Sequence, residues 1–396
     1  MQQIYLDNAA TTPVRPEVEE AMRPYFGKKY GNPSGMYQMA LESHKAIEEV
    51  REQIAGTLGA STEEIYFTSG GTESDNWAVK GIAHLLKTKG KHIITSKIEH
   101  HAILNSCACL EKQGFEVTYV DVDEWGCVRL ESLEKAMRKD TILLSVMYAN
   151  NEMGTVQPVK QIARIAKKHG ILFHTDAVQA YGQLPIDAEE EGIDLLSASA
   201  HKLNGPKGVG FLYVNRNIAL PAYIHGGKQE KGKRAGTENV PGIVGMGKAA
   251  QIAFATQKER EEKIQKLRDY LIKRILGEIP YCRLNGSRTE RLPGNCNVSF
   301  QFIEGNELLL LLDEKNICAS AASACSTGDS SPSHVLTAMG VPEKLAHGTL
   351  RLTLGYQNTK EEIDYTVKCI KESVEKLREN AEDYRKYKEN FSCNIN

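Results

Sequence analysis

Lys202 closes the small-residue run Ser197-Ala198-Ser199-Ala200-His201-Lys202 and abuts the turn Gly205-Pro206-Lys207-Gly208. Asp176 closes a second strand pattern, His174-Thr175-Asp176 after the apolar Ile171-Leu172-Phe173, before Ala177-Val178-Gln179. Singly, each has an ordinary reading. A lysine is usually solvated, and an aspartate at such a place often caps the next helix. Jointly, on neighbouring strand ends, they form a pair with a chemical use. A lysine amine condenses with a carbonyl cofactor, and a carboxylate keeps a pyridine nitrogen protonated so that the ring accepts electrons from a substrate carbanion. That chemistry belongs to pyridoxal 5'-phosphate.

Three further stretches extend the set. In Thr68-Ser69-Gly70-Gly71-Thr72-Glu73-Ser74 a strand ends, two glycines turn the chain and a helix begins. Free N–H groups and the helix dipole then face outward together, which suits a phosphate, although a plain structural turn reads the same way. Cys325 sits inside Ser320-Ala321-Ala322-Ser323-Ala324-Cys325-Ser326-Thr327-Gly328, a run too small and polar to bury a thiol firmly. A thiol on such a loop is a candidate nucleophile, against the alternative of a chance surface cysteine. Arg351 interrupts the strand pattern Gly348-Thr349-Leu350-Arg351-Leu352-Thr353-Leu354. It is either a structural ion pair or a two-point clamp for a substrate carboxylate.

The elements that must hold these residues alternate short apolar runs with amphipathic ones. The strands expected are Ile65–Thr68, His92–Thr95, Glu116–Val120, Ile142–Tyr148, Ile171–His174, Leu195–Ser199 and Gly210–Val214, with helices between them such as Val159–His169. Alternation of this kind predicts an α/β fold with a mostly parallel sheet, which binds ligands at the C-terminal ends of its strands. A single long helix is expected over Val244–Leu276, then a smaller α+β unit from Asn297–Phe300, Glu307–Asp313, Ile317–Ala319 and Thr349–Leu354. Thr359 with Glu362 three residues on is a capping-box signature for the last helix.

Bulk properties set outer limits. With 396 residues, 41% hydrophobic and 25% charged, the chain can build a large core. A formal net charge of −2 gives no reason to expect nucleic acid or an anionic membrane as partner. No basic segment followed by an apolar run opens the sequence, and no apolar run could span a bilayer, so a soluble cytoplasmic protein is expected. Nine scattered cysteines are not a disulfide framework, and Cys107 and Cys109 lack a second ligand pair at zinc spacing. No resident metal is expected.

Taken in order, Tyr5-Leu6-Asp7-Asn8-Ala9-Ala10-Thr11-Thr12, Tyr30-Gly31-Asn32-Pro33-Ser34, the Thr68–Ser74 turn, Glu99-His100, Asn150-Asn151-Glu152-Met153-Gly154, His174–Gln179, Ser199–Lys202, Arg234-Ala235-Gly236-Thr237 and Gly348–Arg351 resemble the class V pyridoxal-phosphate enzymes. Within them they resemble the cysteine desulfurases of the NifS/IscS type. The resemblance spans about residues 4 to 380 and departs slightly at Gly71, where alanine is more usual. It implies a fold-type-I transferase, with a large domain over 15–255 and a small domain from 1–14 and 256–396 that carries the Cys325 loop.

The same resemblance implies roles. Lys202 would hold the cofactor covalently, Asp176 would pair with its ring nitrogen, Gln179 with its ring hydroxyl, and His100 would stack on the ring and shuttle protons. Gly71, Thr72, Ser199 and His201 would hold the phosphate, joined by Thr237 from the other subunit of a homodimer. Asn151 and Arg351 would hold the carboxylate of L-cysteine, with Asn8 and Asn32 nearby. Cys325 would take the substrate sulfur as a persulfide, pass it to an iron–sulfur scaffold or another acceptor protein, and transiently ligate a cluster. Another fold-type-I enzyme, an aminotransferase or a selenocysteine lyase, would share Lys202 and Asp176. An aminotransferase has no use for a thiol on a loop. A catalytically dead scaffold would bind no cofactor.

Overall fold

A computed structural model describes residues 3–321 and 332–393, so Cys325 lies outside the described residues. The strands in chain order are β1 (Ile4–Tyr5), β2 (Ile65–Thr68), β3 (His92–Ser96), β4 (Glu116–Val120), β5 (Thr141–Ser145), β6 (Leu172–Asp176), β7 (Leu195–Ser199), β8 (Gly210–Val214), β9 (Cys282–Leu284), β10 (Asn295–Phe300), β11 (Ile317–Cys318), β12 (Ser320–Ala321) and β13 (Thr349–Thr353). Seven of them form one sheet in the order β2-β8-β7-β6-β5-β3-β4. Every neighbouring pair is parallel except those involving β8. The mostly parallel α/β sheet expected from the alternation is present. Strands β2, β3, β5, β7 and β8 are buried along their whole length, as a sheet covered on both faces requires.

Two apolar cores flank this sheet. Phe67, Ile94, Leu144, Phe173, Leu196 and Phe211 pack on one side, and Trp77, Ile82, Ile93, Leu143, Leu195 and Leu212 on the other. Alternate residues of one strand thus serve opposite cores, as the period-two geometry dictates. The helix over Val159–His169 falls where its spacing predicts, with Ile162, Ala163 and Ala166 buried.

The long helix expected over Val244–Leu276 is two, Val240–Ala255 and Gln257–Glu278. Thr256 stands at the break with φ −111° and ψ 10°, and its hydroxyl donates back to the Ile252 carbonyl at 2.9 Å. A threonine bonded to the preceding turn competes with the helical ladder and bends it.

A third core gathers Leu6, Leu271, Ile275, Phe300, Leu308, Leu350, Ile363 and Ile370 around a four-stranded sheet of order β12-β13-β10-β9. Strand β9 had no sequence signal, because its Cys282-Arg283-Leu284 is only half-buried and shows no alternation. The helix Lys360–Asn380 opens on the Thr359–Glu362 capping box that the sequence announces. Val335, Leu336, Met339 and Val341 leave this unit and pack on the first core of the large sheet.

The N-terminal segment ties the two units together. Strand β1 pairs parallel with β11, and the Thr353 amide donates to the Leu6 carbonyl at 2.7 Å. A few residues later the Thr12 amide donates to the His201 carbonyl at 3.0 Å. Within ten residues the chain therefore touches the third core and the lysine-bearing strand end.

Candidate active site

Strands β6 and β7 are parallel neighbours, and both end at the same edge of the sheet. Asp176 is the last residue of β6, and Lys202 ends the single turn Ala200–Lys202 that follows β7. They face one cavity of about 420 Å³. It is also lined by Gly71, Thr72, His100, Asn151, Gln179, Ser199, His201 and Arg351, so most of the expected residues are brought to one place.

Asp176 does not cap a helix. Its Oδ1 accepts the Val178 amide at 2.9 Å within the turn that follows, and the side chain is almost fully buried. Burial pushes its carboxyl above the usual range, and His100 and Lys202 pull the other way. The Lys202 amine donates to the carbonyls of Ala9 at 2.6 Å and Ala10 at 2.7 Å. Gln179 Nε2 donates to the same Ala9 carbonyl at 2.9 Å. The N-terminal segment therefore orients both side chains.

His100 precedes the helix His101–Glu111, and its Nδ1 accepts the Ala102 amide at 3.1 Å. The residue is exposed at the cavity. Desolvation, against the opposing pull of Asp176 and with the help of Lys202, holds the imidazole below its ordinary pKa. His201 is pushed down to about 4, first by burial and then by Lys202, and its Nδ1 lies 3.1 Å from Thr11 Oγ1. Both histidines are therefore neutral at pH 7.

The glycine turn is a close-packed cradle. Gly70 has φ +148°, a conformation side chains disfavour, and the helix Gly71–Leu86 starts directly after it. A Cβ on Gly71 would meet Val178 Cγ2 at 2.4 Å. Glu73 folds back to accept the Ser69 amide at 2.9 Å and pairs with Arg234 at 2.9 Å, fixing the turn from outside. Val178 itself lines the cavity, so Gly71→Ala is expected to displace it inward. We expect a loss of about 1–3 kcal/mol in stability, the scale of overpacking, with weaker cofactor retention in an absorbance titration.

Arg351 lies on β13 and is nearly fully buried. It donates to Asp7 Oδ1 at 2.9 Å and to the Asn151 carbonyl at 3.2 Å, while its Nε is buried with no hydrogen-bond partner among the described residues. The ion pair is thus real, and a donor is left over for an anion. Asp7 belongs to a stretch whose sequence is distinctive, but nothing in it announces a partner more than 300 residues away. Asp75, one helical turn into the phosphate helix, is fully buried against the cavity and was likewise not singled out.

Three expected residues lie elsewhere. Asn8 donates to the Thr353 carbonyl at 2.7 Å and lines a small neighbouring cleft. Asn32 is exposed and its Oδ1 accepts the Ser34 amide at 3.0 Å, as in a turn. Thr237 is exposed and lines a separate hollow with Ser69 and Arg234. Lys207, the next lysine along the chain, is exposed and does not line the cavity.

The residues fit pyridoxal phosphate on their own chemistry. An amine, a buried acid, a glycine cradle at a helix N-terminus and an orphaned guanidinium nitrogen share one cavity. By donor count Asp75, His100 and Asp176 could also meet a cation, since their ligating atoms lie within 4.8 Å of one another. The Lys202 amine at the same cavity repels one.

A sheet of this topology carrying such a site defines a pyridoxal-phosphate-dependent enzyme of the class-V aminotransferase kind, and the pattern described as "Aminotransferase class-V" matches residues 4–366. Relatives named "Cysteine desulfurase IscS" are 56% identical in Methanosarcina thermophila, over 95% of this chain and 93% of that one, and 53% identical in Dictyoglomus turgidum, over 95% of each. A solved structure described as "NIFS-LIKE PROTEIN" superposes with a TM-score of 0.88 at 42% identity, covering 94% of this chain and 99% of its own. The chain belongs to the class-V aminotransferase family and, within it, to the cysteine desulfurases. No helix among the described residues is long and apolar enough to cross a membrane.

Proposed function

We propose that this cysteine desulfurase moves the sulfur of L-cysteine onto Cys325, leaving L-alanine and a persulfide that an iron–sulfur scaffold or another acceptor protein then takes in the cytoplasm. The observation that carries the site assignment is the convergence of Lys202, Asp176 and Arg351, from three separate elements, on one cavity. Pyridoxal phosphate, when bound, withdraws electrons from the substrate Cα. Lys202 and Asp176 hold its two ends of chemistry, the carbonyl and the ring nitrogen, while Gly71, Thr72, Ser199 and His201 hold its phosphate.

Arg351 and Asn151 take the substrate carboxylate. Neutral His100, whose Nδ1 is occupied by the Ala102 amide, moves a proton to or from the substrate. The Cys325 thiolate then attacks the substrate sulfur. The S–S bond forms as the Cβ–S bond breaks, its electron pair stays with carbon, and a proton completes the methyl group of alanine.

We read the chain as two domains, 15–255 and a small domain from 1–14 and 256–396, in a homodimer. Phe26, Tyr30, Met36, Tyr37 and Leu41 are large apolar side chains left exposed within one short stretch, an arrangement that a second copy would cover. Thr237, outside the cavity of its own chain, would reach the partner's phosphate.

Arg351→Lys tests the clamp. A lysine makes no planar two-point contact. We expect kcat/KM for cysteine to fall by about 1.5–3 kcal/mol, roughly 10- to 150-fold, the scale of a charged hydrogen bond. The isolated cofactor band should be retained. Unchanged kinetics would reduce Arg351 to the partner of Asp7.

A further inference from the structure

Asp75 has no assigned task, yet it is fully buried beside the acid assigned to the ring nitrogen. Its Oδ1 has no hydrogen-bond partner among the described residues. The nearest basic group is His174 Nε2 at 3.7 Å, but burial pushes that imidazole down to about 3, and its two nitrogens face the hydroxyls of Ser145 at 2.9 Å and Ser197 at 3.0 Å. His174 is therefore neutral and forms no ion pair with Asp75.

Two buried carboxylates this close cannot both ionise at ordinary cost. The surroundings decide which one keeps the proton. Asp176 accepts the Val178 amide and faces the Lys202 ammonium, both of which favour its charge. Asp75 faces Asp176 and, further off, Glu99, which oppose charge, and only the Ser197 hydroxyl favours it. Glu99 is already satisfied by Ser96 Oγ at 2.5 Å and the Met147 amide at 3.0 Å, so it offers Asp75 nothing.

We propose that Asp75 and Asp176 hold one negative charge between them, with the proton on Asp75, so that Asp75 is a positioning residue that leaves Asp176 the anion facing the cofactor ring. The inference rests on the Asp176 assignment above for its functional half. The shared charge itself is a property of the chain alone.

The test uses Asp75→Asn, a neutral isostere of the protonated acid. A carboxyl that binds its proton more tightly folded than unfolded loses stability as pH rises above its unfolded value. The cofactor-free variant should therefore unfold at higher urea than wild type at about pH 8, with the advantage shrinking toward about pH 4. Once reconstituted, it should keep the visible cofactor band. A variant less stable than wild type by the same margin at every pH, or one without the band, overturns the proposal.

Infrared spectroscopy covers the case in which the variant does not fold. Measured in a Glu99→Gln background, because burial pushes the Glu99 carboxyl up to about 8, the protonated-acid carbonyl band assigned to Asp75 should be lost at lower pH in Asp176→Asn, where Asp75 no longer faces a like charge. An unmoved band also overturns it. Cofactor binding by Asp176→Asn with an unaltered spectrum would instead remove the Asp176 assignment and leave the shared proton standing.

Discussion

Cys325→Ser is expected to keep the cofactor absorbance of the wild type and to lose sulfide release from cysteine, by on the order of 10³-fold or more, the scale of removing a nucleophile. The two halves of the chemistry use different residues. Substrate activation draws on Lys202, Asp176 and His100, which the substitution leaves alone. Sulfur removal needs a thiolate, and the thiols inside the fold are poorly suited to supply one. Burial pushes Cys107 and Cys296 up to about 12 and Cys127 to about 11, and Cys318 is raised as well. A thiol held protonated is a weak nucleophile. Mass spectrometry of wild type after brief exposure to cysteine without reductant should add one sulfur to the peptide that contains Cys325. Sulfur found instead on Cys107, Cys109 or Cys318 would refute the assignment.

Lys202→Ala should abolish the covalent cofactor link and lower turnover by at least about 10²–10⁴-fold, the contribution of a positioned proton-transfer group alone. The protein should still fold. The amine lies at the cavity surface, half-buried, and its bonds to the Ala9 and Ala10 carbonyls anchor a segment that Leu6 and Thr12 also hold. The decisive measurement is borohydride reduction of wild type followed by peptide mapping. The fixed cofactor should map to Lys202. Recovery on Lys207 would move the site.

Much of this was legible in the residue order. Glu116–Val120, Leu195–Ser199 and Gly210–Val214 are short runs between helical patterns, and they are strands to the residue. Lys202, Asp176 and the Gly70-Gly71 turn stand at strand ends, where topology brings distant positions together without any long-range information. What stayed hidden depends on tertiary pairing. Asp7 meets Arg351 because Asp7, just past β1, bridges Thr353 at the end of β13, and no local pattern encodes that. Asp75 shares its helical face with Ala78, Val79 and Ile82, a signal that the acid would be buried, but only the structure shows that it lies beside Asp176. The break at Thr256 was missed because threonine is tolerated inside helices, and its back-bond is visible only in three dimensions.

The short N-terminal segment has a consequence for how the protein is made. Residues 4 to 12 are synthesised long before their partners Ile317, Cys318 and Thr353, and Ala9 and Ala10 are set over Lys202. At a synthesis rate of about 5–20 residues per second, these opening residues wait on the order of tens of seconds for the strands they must join. Until then the large sheet can form, but the lysine and the glutamine beside it lack the carbonyls that aim them. Cofactor capture is thereby deferred until β11 and β13 have been made. A fusion or tag that holds the N-terminus away from β11 should yield protein with an intact sheet and poor cofactor loading.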